Sequence, residues 1–477
     1  MAACLLQFLQ GTSCAEPQES PIRAELRSLS HAPLVPNWQE QVGATTPNNT
    51  RQFTVKAKGD GQTLCTKEIQ QTIDDCAAAG GGTVELEPGQ YVTGSLFLKS
   101  NVHFHVAKGV TLLGAQDDDS WPIIHTRVAG IETDWCAAMI NVRGQQNVAI
   151  TGEGILDARG KRFWKKFRKA ASEYTKNLRW AVDYDVMRPH FVQIYESRDV
   201  TLRGLTLNNS PFWTVHVVFS KNVTVDGLTI RDNLEGKGPS TDGVNIDSSA
   251  FCLVENCDVD NNDDNFTLKA GMNADGLRVG LPAQYILFRN NIARQGHGVF
   301  TIGSDMSGGI QHCEAVGMRG IGTLEGVRFK SAKVRGGVVQ DILIHDIKLE
   351  NVRTAISINL NWFPEFSYPV IPPDYPNIPP VWHILTTKIP PEKGIPHFRD
   401  ITIMDVRATG AKTGISVTAY PDAPIENISL KRVHIEADKA GTIQNAKNWS
   451  IESVSIKGAD GKPVEIKDSE NVTLPET

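Results

Sequence analysis

Four short polar clusters follow one another between residues 240 and 330, each near a strand-like segment. They are Ser240-Thr241-Asp242, Asn262-Asp263-Asp264-Asn265, Gly296-His297-Gly298 and Arg328-Phe329-Lys330. If the segments stack as coils of one solenoid, three carboxylates, an imidazole and two cations share one face. Carboxylates held that close cannot all ionise freely, so at least one pKa should rise. A protonated acid beside an ionised base is what hydrolysis of a glycosidic bond requires.

The order of the clusters carries more weight than any one of them. Asp and Asn at turns more often cap the backbone than catalyse, and a lone Gly-His-Gly or Arg-x-Lys indicates little. In this order, however, Gly296 and Gly298 would let a sugar approach the backbone beside His297. Arg328 and Lys330, two apart on a strand, point the same way. A guanidinium and an ammonium there suit the carboxylate of an acidic sugar.

An eight-residue repeat predicts how the clusters are brought together. Apolar residues recur at positions 1, 3, 6 and 8, with Gly, Asn or Asp permitting a turn between positions 3 and 6. The copies begin at Val200, Val223, Cys252, Tyr285, Ile342, Ile401, Ile428 and Trp449. The pattern predicts an all-β solenoid. A helix at about 66–78, capped by Thr66 and stopped by Gly80-Gly81-Gly82, is expected to cover its first coil.

We expect an N-terminal extension followed by one large domain. Residues 1–53 form a residual signal, linker or N-terminal extension, and residues 54–477 form the solenoid domain. Two insertions interrupt the stack. The one near 159–187 is strongly basic, and a solvated helix face is the simplest interpretation of its charge. The one near 361–397, rich in Pro and aromatics, is expected to wall one end of the cleft, with a purely structural hairpin as the alternative.

Composition limits the partners and the compartment. The formal net charge of −6 over 477 residues gives no general reason to expect nucleic acid, and a polyanion would need a local basic cleft. Residues 1–14 resemble the end of a signal peptide, so we expect a secreted or periplasmic protein, with lipid attachment at Cys14 as an alternative. No run reaches the roughly 18 apolar residues of a membrane span. We expect a monomer.

The eight cysteines show neither a CxxC pair nor a zinc spacing, so no metal site is assigned. No disulfide framework is readable from them. Cys252 and Cys257 fall in one copy of the repeat and are expected to pack in the stack as small hydrophobic residues.

The ordered clusters resemble those of glycoside hydrolase family 28, the polygalacturonase family of right-handed parallel β-helices. That family's pattern runs Asn-Thr-Asp, Asp-Asp, Gly-His-Gly and Arg-x-Lys. The likeness covers roughly residues 54–465 and includes GDGQT at 59–63, GGGTVELEPGQYVTGSL at 80–96, and NNSPFWTVHV at 208–217. Two departures stand out: Ser240 replaces the usual Asn, and Asn262 and Asn265 stand where many members carry cysteines.

The resemblance implies roles for the candidate residues. Asp263 would be the general acid, Asp242 and Asp264 would hold and activate water, and His297 would tune the carboxylates. Three cations would bind the galacturonate carboxylate: Arg328, Lys330 and Lys269. The family inverts configuration and needs no cofactor.

The two insertions favour an exo-acting galacturonosidase, because they could close an open groove into a pocket. A rhamnogalacturonan-type hydrolase or a debranching glycosidase is the main alternative. A calcium-dependent pectate lyase and a non-catalytic carbohydrate-binding solenoid are the others.

Overall fold

The chain winds into a parallel β-helix. The computed structural model describes residues 19–47 and 50–475, and within them 33 strands share one continuous hydrogen-bonded sheet. A full coil contributes three strands, as Val192–Tyr195, Arg198–Arg203 and Thr206–Asn208 do. Each strand pairs in parallel with its counterpart in the next coil. The strands therefore stack into three ladders, which we call the site, second and third ladders.

The strands fall into the ladders as follows. The site ladder holds Leu96–Leu98, Ile140–Arg143, Val192–Tyr195, Val215–Val218, Val244–Asp247, Phe266–Lys269, Gly298–Ile302, Glu325–Lys330, Thr354–Asn359 and Glu465–Lys467. The second holds Gln52–Thr54, Gly82–Glu85, Val102–His105, Gln146–Thr151, Arg198–Arg203, Lys221–Asp226, Ala250–Glu255, Ala283–Arg289, Ile310–Val316, Ala446–Lys447 and Ser450–Gly458. The third holds Asp60–Leu64, Gly89–Thr93, Val110–Gly114, Ile155–Asp157, Thr206–Asn208, Thr229–Arg231, Asp258–Asp260, Ile292–Ala293 and Arg319–Ile321. Three long strands turn corners between ladders: Val338–Glu350, His397–Thr418 and Ile425–Gln444. The strand Ser450–Gly458 likewise continues from the second ladder into the third.

Helices and one antiparallel hairpin decorate the coil. The hairpin pairs Ile123–Val128 with Ile131–Cys136. The α-helices are Pro21–Ser30, Thr66–Ala78, Lys161–Glu173, Val182–Asp185, Asn273–Val279, Pro364–Ser367, Pro380–Leu385 and Pro391–Gly394. Two 3₁₀ turns are Trp38–Glu40 and Lys176–Leu178. None of the helices in this described part of the chain is long and apolar enough to cross a membrane.

The repeat fills the interior as predicted. In the copy that begins at Val200, the apolar side chains at positions 1, 3, 6 and 8 are fully buried. Position 5 takes a left-handed backbone conformation, with φ of +78° at Gly204 and +54° at Asn256. Glycine and asparagine tolerate that region better than other residues, which explains their place in the repeat. Cys252 and Cys257 are buried in the same stack, as expected, whereas Cys4 and Cys14 lie outside the described residues.

The predicted register of one copy of the repeat is wrong by one residue. Cys252 pairs with Ile286, so that copy begins at Ile286 and not at Tyr285. The first six residues of the strand Ala283–Arg289 are all buried, the polar Gln284 included, so its outward face is covered too. Tyr285 packs outside the coil with Ile22 and Leu26 of the N-terminal helix. Apolar and polar residues therefore do not alternate along this strand, and only its pairing with the neighbouring strand fixes its register.

The predicted capping helix forms over Thr66–Ala78, with Ile69 and Ile73 fully buried against the first coil. The predicted cap is wrong, because Thr66 is the first helical residue and not the N-cap. Its hydroxyl instead accepts a hydrogen bond from the Gly94 amide at 2.8 Å. The helix ends before Gly80, whose φ is +89°.

The N-terminal extension lies on the side of the coil and not over its end. Ile22 and Leu26 of the helix Pro21–Ser30 are buried with Trp38 against outward residues of the second ladder. Arg23 extends from this helix to Glu132 of the hairpin, with which it forms an ion pair at 2.5 Å. The described part of this segment thus packs against the coil and holds the hairpin beside the cleft. The signal-like residues 1–14 lie outside the described residues.

Candidate active site

The register of the site ladder brings the predicted carboxylates together. Val244 pairs with Phe266, and each lies two residues after a carboxylate, so Asp242 and Asp264 occupy equivalent positions on neighbouring coils. Phe266 pairs with Phe300, and these two residues lie three positions after Asp263 and His297, respectively. Asp263 and His297 are therefore also one rung apart, about 4.8 Å along the solenoid. All four side chains meet at the edge where the site-ladder strands begin.

Asp264 is the most firmly held of the three carboxylates. One oxygen accepts from Arg328 at 2.7 Å, from the Thr301 hydroxyl at 3.1 Å and from the Gly298 amide at 3.2 Å. The other lies 2.7 Å from the Lys330 ammonium. Burial alone would raise the pKa of Asp264, but the two cations outweigh it and hold that pKa well below its ordinary value. Asp264 is therefore an ionised, immobile anchor.

Asp263 and His297 are the accessible members of the cluster. Their side chains are 23% and 36% exposed, against 1% for Asp264. His297 Nδ1 lies 3.1 Å from Asp263 Oδ1. Burial raises the pKa of Asp263, but the charge and hydrogen bond of His297 lower it to about 2, and Asp263 in turn raises the pKa of His297. In the free protein this pair is ionic and faces the cleft.

Asp242 is buried against a lysine. The Lys269 ammonium lies 3.1 Å from Asp242 and 3.7 Å from Asp305, and 3.9 Å from the centre of the Trp213 ring. Burial is the largest influence on Asp242. Together with repulsion from Asp263 and Asp264 it outweighs the attraction of Lys269 and raises the pKa of Asp242 to about 7. Near neutral pH Asp242 is therefore partly protonated, and of the three carboxylates it holds a proton most readily.

Lys269 is predicted to bind substrate, but in the structure its ammonium contacts other groups of the protein. Its side chain is 5% exposed, and its ammonium is engaged by two carboxylates and an aromatic face. Such a cation holds Asp242 in place, and its binding of a sugar carboxylate stays a prediction. We therefore treat Lys269 as a positioning residue for Asp242.

Arg328 and Lys330 stand closer to the cleft. Both are held by Asp264, and Arg328 also lies 3.4 Å from Glu325. Their side chains are 11% and 7% exposed. The indole of Trp362, from the second insertion, covers the Lys330 ammonium at 4.5 Å. Both cations lie at the catalytic edge. That they bind the substrate carboxylate stays a prediction.

The residues that depart from the family pattern have local partners. The Ser240 hydroxyl donates to Asp183 of the first insertion at 3.2 Å. The Asn262 amide donates to the Gly238 carbonyl at 3.1 Å, and that of Asn265 donates to the Gln295 and Gly298 carbonyls at 2.8 and 3.0 Å. Hydrogen bonds between coils thus stabilise the Asp263-Asp264 turn at the positions where many members carry cysteines.

Two bridges cross the outward face of the site ladder. The first, which we call the hairpin bridge, links the hairpin 123–136 to the helix Asn273–Val279. The hairpin precedes one site-ladder strand and the helix follows another. The backbone amide of Glu132 donates a hydrogen bond to Asp275 at 3.0 Å. Arg127 of the hairpin is fully buried and lies 3.0 Å from Asp247 on the ladder beneath. The site-ladder residues Gln193, His216 and Asn245 are buried to at least 99%. This part of the face is closed.

The insertion bridge joins the two predicted insertions, 159–187 and 361–397. The rings of Trp180 and Trp382 lie 4.9 Å apart, and the Trp382 indole donates to Asp185 at 2.8 Å. One insertion precedes a site-ladder strand and the other follows the strand Thr354–Asn359. Their contact therefore spans the coils that carry the carboxylates.

Sequence reasoning missed Asp305, Trp213 and the hairpin. Trp213 lay in a stretch that supported the resemblance, but nothing local marked it as a partner of Lys269. The hairpin carried a readable signal: two segments of strand-like residues flank Ala129-Gly130, both with positive φ, as a two-residue turn requires.

Three residues of the cluster are potential metal ligands. Asp263, Asp264 and His297 offer three ligand atoms within 4.8 Å of one another. Arg328 and Lys330 already neutralise Asp264, and His297 and Asp263 satisfy each other. A divalent cation would have to compete with these positive groups, so the donor set fits a cation poorly.

The comparisons with known proteins identify the family of the chain. The chain matches the model of glycosyl hydrolases family 28 over residues 101–368, more than half of its length, and it belongs to that family. A probable polygalacturonase of Vitis vinifera is 28% identical over 382 residues, 78% of this chain and 72% of that protein. An endo-polygalacturonase of Pectobacterium carotovorum subsp. carotovorum is 27% identical over 421 residues, 84% of this chain and 89% of that protein.

A solved structure confirms the fold. The hyperthermoactive exopolygalacturonase from Thermotoga maritima superposes with a TM-score of 0.68 at 26% identity, over 91% of this chain and 96% of that one. The predicted right-handed parallel β-helix is thereby confirmed. Endo- and exo-acting proteins both appear among these relatives, so the mode of attack has to be argued from the cleft.

Proposed function

We propose that this glycoside hydrolase cleaves α-linked galacturonic acid from pectin with inversion of configuration, acting from a chain end. The observation that carries the proposal is the group of three carboxylates with His297, Arg328 and Lys330 at one edge of the site ladder. Similarity to polygalacturonases supports the substrate class. Cations beside the carboxylates match a sugar that itself carries a carboxylate. Export to the cell exterior or periplasm is part of the proposal, since pectin is outside the cell.

The reaction needs one proton donor and one proton acceptor. Asp263, the accessible carboxyl, protonates the glycosidic oxygen as the bond to the anomeric carbon breaks. A water held by Asp242 and Asp264 attacks the opposite face, and its proton passes to Asp242. Turnover therefore leaves Asp263 ionised and Asp242 protonated. Asp242 holds a proton more readily than Asp263, and the proton must return to Asp263 before the next cycle.

The pH profile tests this proton balance. We expect kcat/KM to fall above pH of about 7, because the cluster then loses the proton of Asp242, whose pKa is raised to about 7. Lys269→Met removes the ammonium that favours ionised Asp242, so the alkaline limb should move to higher pH. A limb that stays in place in this variant would contradict the assignment to Asp242.

The two bridges support exo action. An endo-acting enzyme needs a groove open at both ends, whereas here the hairpin bridge buries the site-ladder face on one side of the carboxylates. Gln193, His216 and Asn245 lie under this cover, at 1% exposure or less. A polymer can therefore enter from one side only, and its terminal sugar stops beside the catalytic cluster.

Early products decide the mode of attack. With polygalacturonate as substrate, we expect free galacturonate to dominate from the first minutes, measured by anion-exchange chromatography. Trp382→Ala should loosen the insertion bridge and admit longer chains, so that some oligomers appear. Mixed oligomers from the wild-type protein at early times would contradict exo action, and release of sugar only from rhamnogalacturonan would contradict the substrate.

A further inference from the structure

The helix Lys161–Glu173 carries a positive charge that the proposed chemistry does not use. Within its 13 residues it holds one acid, Glu173, and six bases: Lys161, Arg162, Lys165, Lys166, Arg168 and Lys169. The formal net charge of the whole chain is −6. This helix is thus a local excess of positive charge on an acidic protein.

The charges are arranged as a stripe. Phe163, Trp164 and Phe167 face the interior and are buried. Lys161, Lys165 and Lys169 are exposed and follow one another at intervals of four residues, which places them on one line along the helix. Like charges at that spacing destabilise a helix. The fold therefore maintains a charge arrangement that works against its own stability.

Little in the described part of the chain neutralises the charges of this lysine stripe. Arg162 and Lys166, on the neighbouring flank, both pair with Asp118. Among residues 19–47 and 50–475, no carboxylate lies within ion-pair distance of Lys161, Lys165 or Lys169. The three ammonium groups are therefore available to an external anion.

The helix borders the catalytic edge. Arg168 donates a hydrogen bond to the carbonyl of Lys237. The Trp164 ring packs so closely on Gly238 that a methyl group there would lie 2.5 Å from it. Residues 237 and 238 belong to the loop that ends at Asp242. The lysine stripe thus flanks the loop that delivers a catalytic carboxylate.

We propose that the lysine stripe binds the part of a polygalacturonate chain that remains outside the pocket. This inference rests on the proposed function, because a pocket that takes one chain end leaves the other sugars in solvent. Each of those sugars carries a carboxylate, and a protein of negative net charge would otherwise repel them. Ammonium groups on flexible stems suit carboxylates whose positions vary from chain to chain.

The test compares two triple variants with the same loss of charge. The first, K161Q/K165Q/K169Q, removes the stripe. The second, K348Q/R407Q/K457Q, removes three exposed cations elsewhere; Lys348 lies six rungs of the third ladder from the coil that precedes the helix, roughly 29 Å. Gln has nearly the helix propensity of Lys, so the stripe variant should melt at the wild-type temperature or above it.

Kinetics at low ionic strength give the first readout. At about 0.01 M salt, where the screening length is about 30 Å, we expect the stripe variant to lose about tenfold in kcat/KM on polygalacturonate. On digalacturonate, which is too short to reach the stripe, it should match the wild type. The difference should vanish at high salt. An unchanged rate on the polymer, an equal loss on digalacturonate or an equal loss in the control variant would each overturn the proposal.

Binding without turnover gives the second readout. In an Asp263→Asn background, electrophoresis through a gel containing polygalacturonate should retard the parent and the control variant, and should retard the stripe variant much less. This measurement remains decisive if the parent protein does not hydrolyse polygalacturonate, in which case the proposed function fails by itself. Equal retardation of all three proteins would show that the stripe does not bind the polymer. Retardation by acidic lipid vesicles and not by polygalacturonate would assign the stripe to a membrane surface and overturn the proposal.

Discussion

Replacing Asp263 with Asn is expected to lower kcat by about 10³- to 10⁴-fold on polygalacturonate. An amide cannot protonate the glycosidic oxygen, and Asp263 is the carboxyl of the cluster that substrate can reach. The same change removes the ion pair with His297, but the protein should still fold, because the amide oxygen can accept the hydrogen bond from the Asp264 backbone at 2.9 Å. Reducing-sugar assays and thermal melts measure the two effects.

A matched control separates chemistry from charge. Asp346→Asn removes one carboxylate from the exposed turn between the second and third ladders. The backbone φ of Asp346 is +51°, which suits asparagine. We expect its kcat to equal that of the wild type. Equal rates in Asp263→Asn and the control would assign the acid to another residue, with Asp242 the first alternative because its pKa is raised to about 7.

Replacing Asp264 with Asn is expected to destroy activity and stability together. The change leaves Arg328 and Lys330, at 11% and 7% exposure, without the carboxylate that binds both of them. Removing one partner of a buried ion pair costs about 3–5 kcal/mol in the free energy of unfolding. A variant that loses activity at wild-type stability would contradict the role of Asp264 as the anchor of the site.

The pH dependence of that stability loss has a definite sign. The folded-state pKa of Asp264 is held well below its ordinary value, so its contribution is fully present above the unfolded pKa of about 3.9. It declines as the pH falls below that value towards the folded pKa. The difference in stability between wild type and variant should therefore be constant above pH of about 4 and shrink below it.

The repeat and the catalytic edge could be predicted because both are local in sequence. Each coil marks itself with apolar side chains at fixed spacing and a turn residue of positive φ, as at Gly204 and Asn256. Once the coils stack, Asp242, Asp264 and His297 meet without further information. The same logic failed at Tyr285, because the N-terminal helix buries the outer face of that strand and removes the alternation.

The bridges could not be predicted because they depend on contacts between distant residues. Arg127 reaches Asp247, and Trp180 meets Trp382. No repeat or motif links the members of these pairs. The resemblance places Lys269 among the substrate-binding cations, but only the structure shows that Asp242 and Asp305 engage it.

In the proposed reaction Asp263 acts as the acid while Asp242 and Asp264 direct water to the opposite face. The anomeric configuration of the first product tests it most directly. Proton NMR during the first minutes of hydrolysis of α-linked polygalacturonate should show β-galacturonate, with the α-anomer growing only by mutarotation. An α-anomer at the earliest times would indicate retention, and an unsaturated product would indicate elimination; either result would contradict the account.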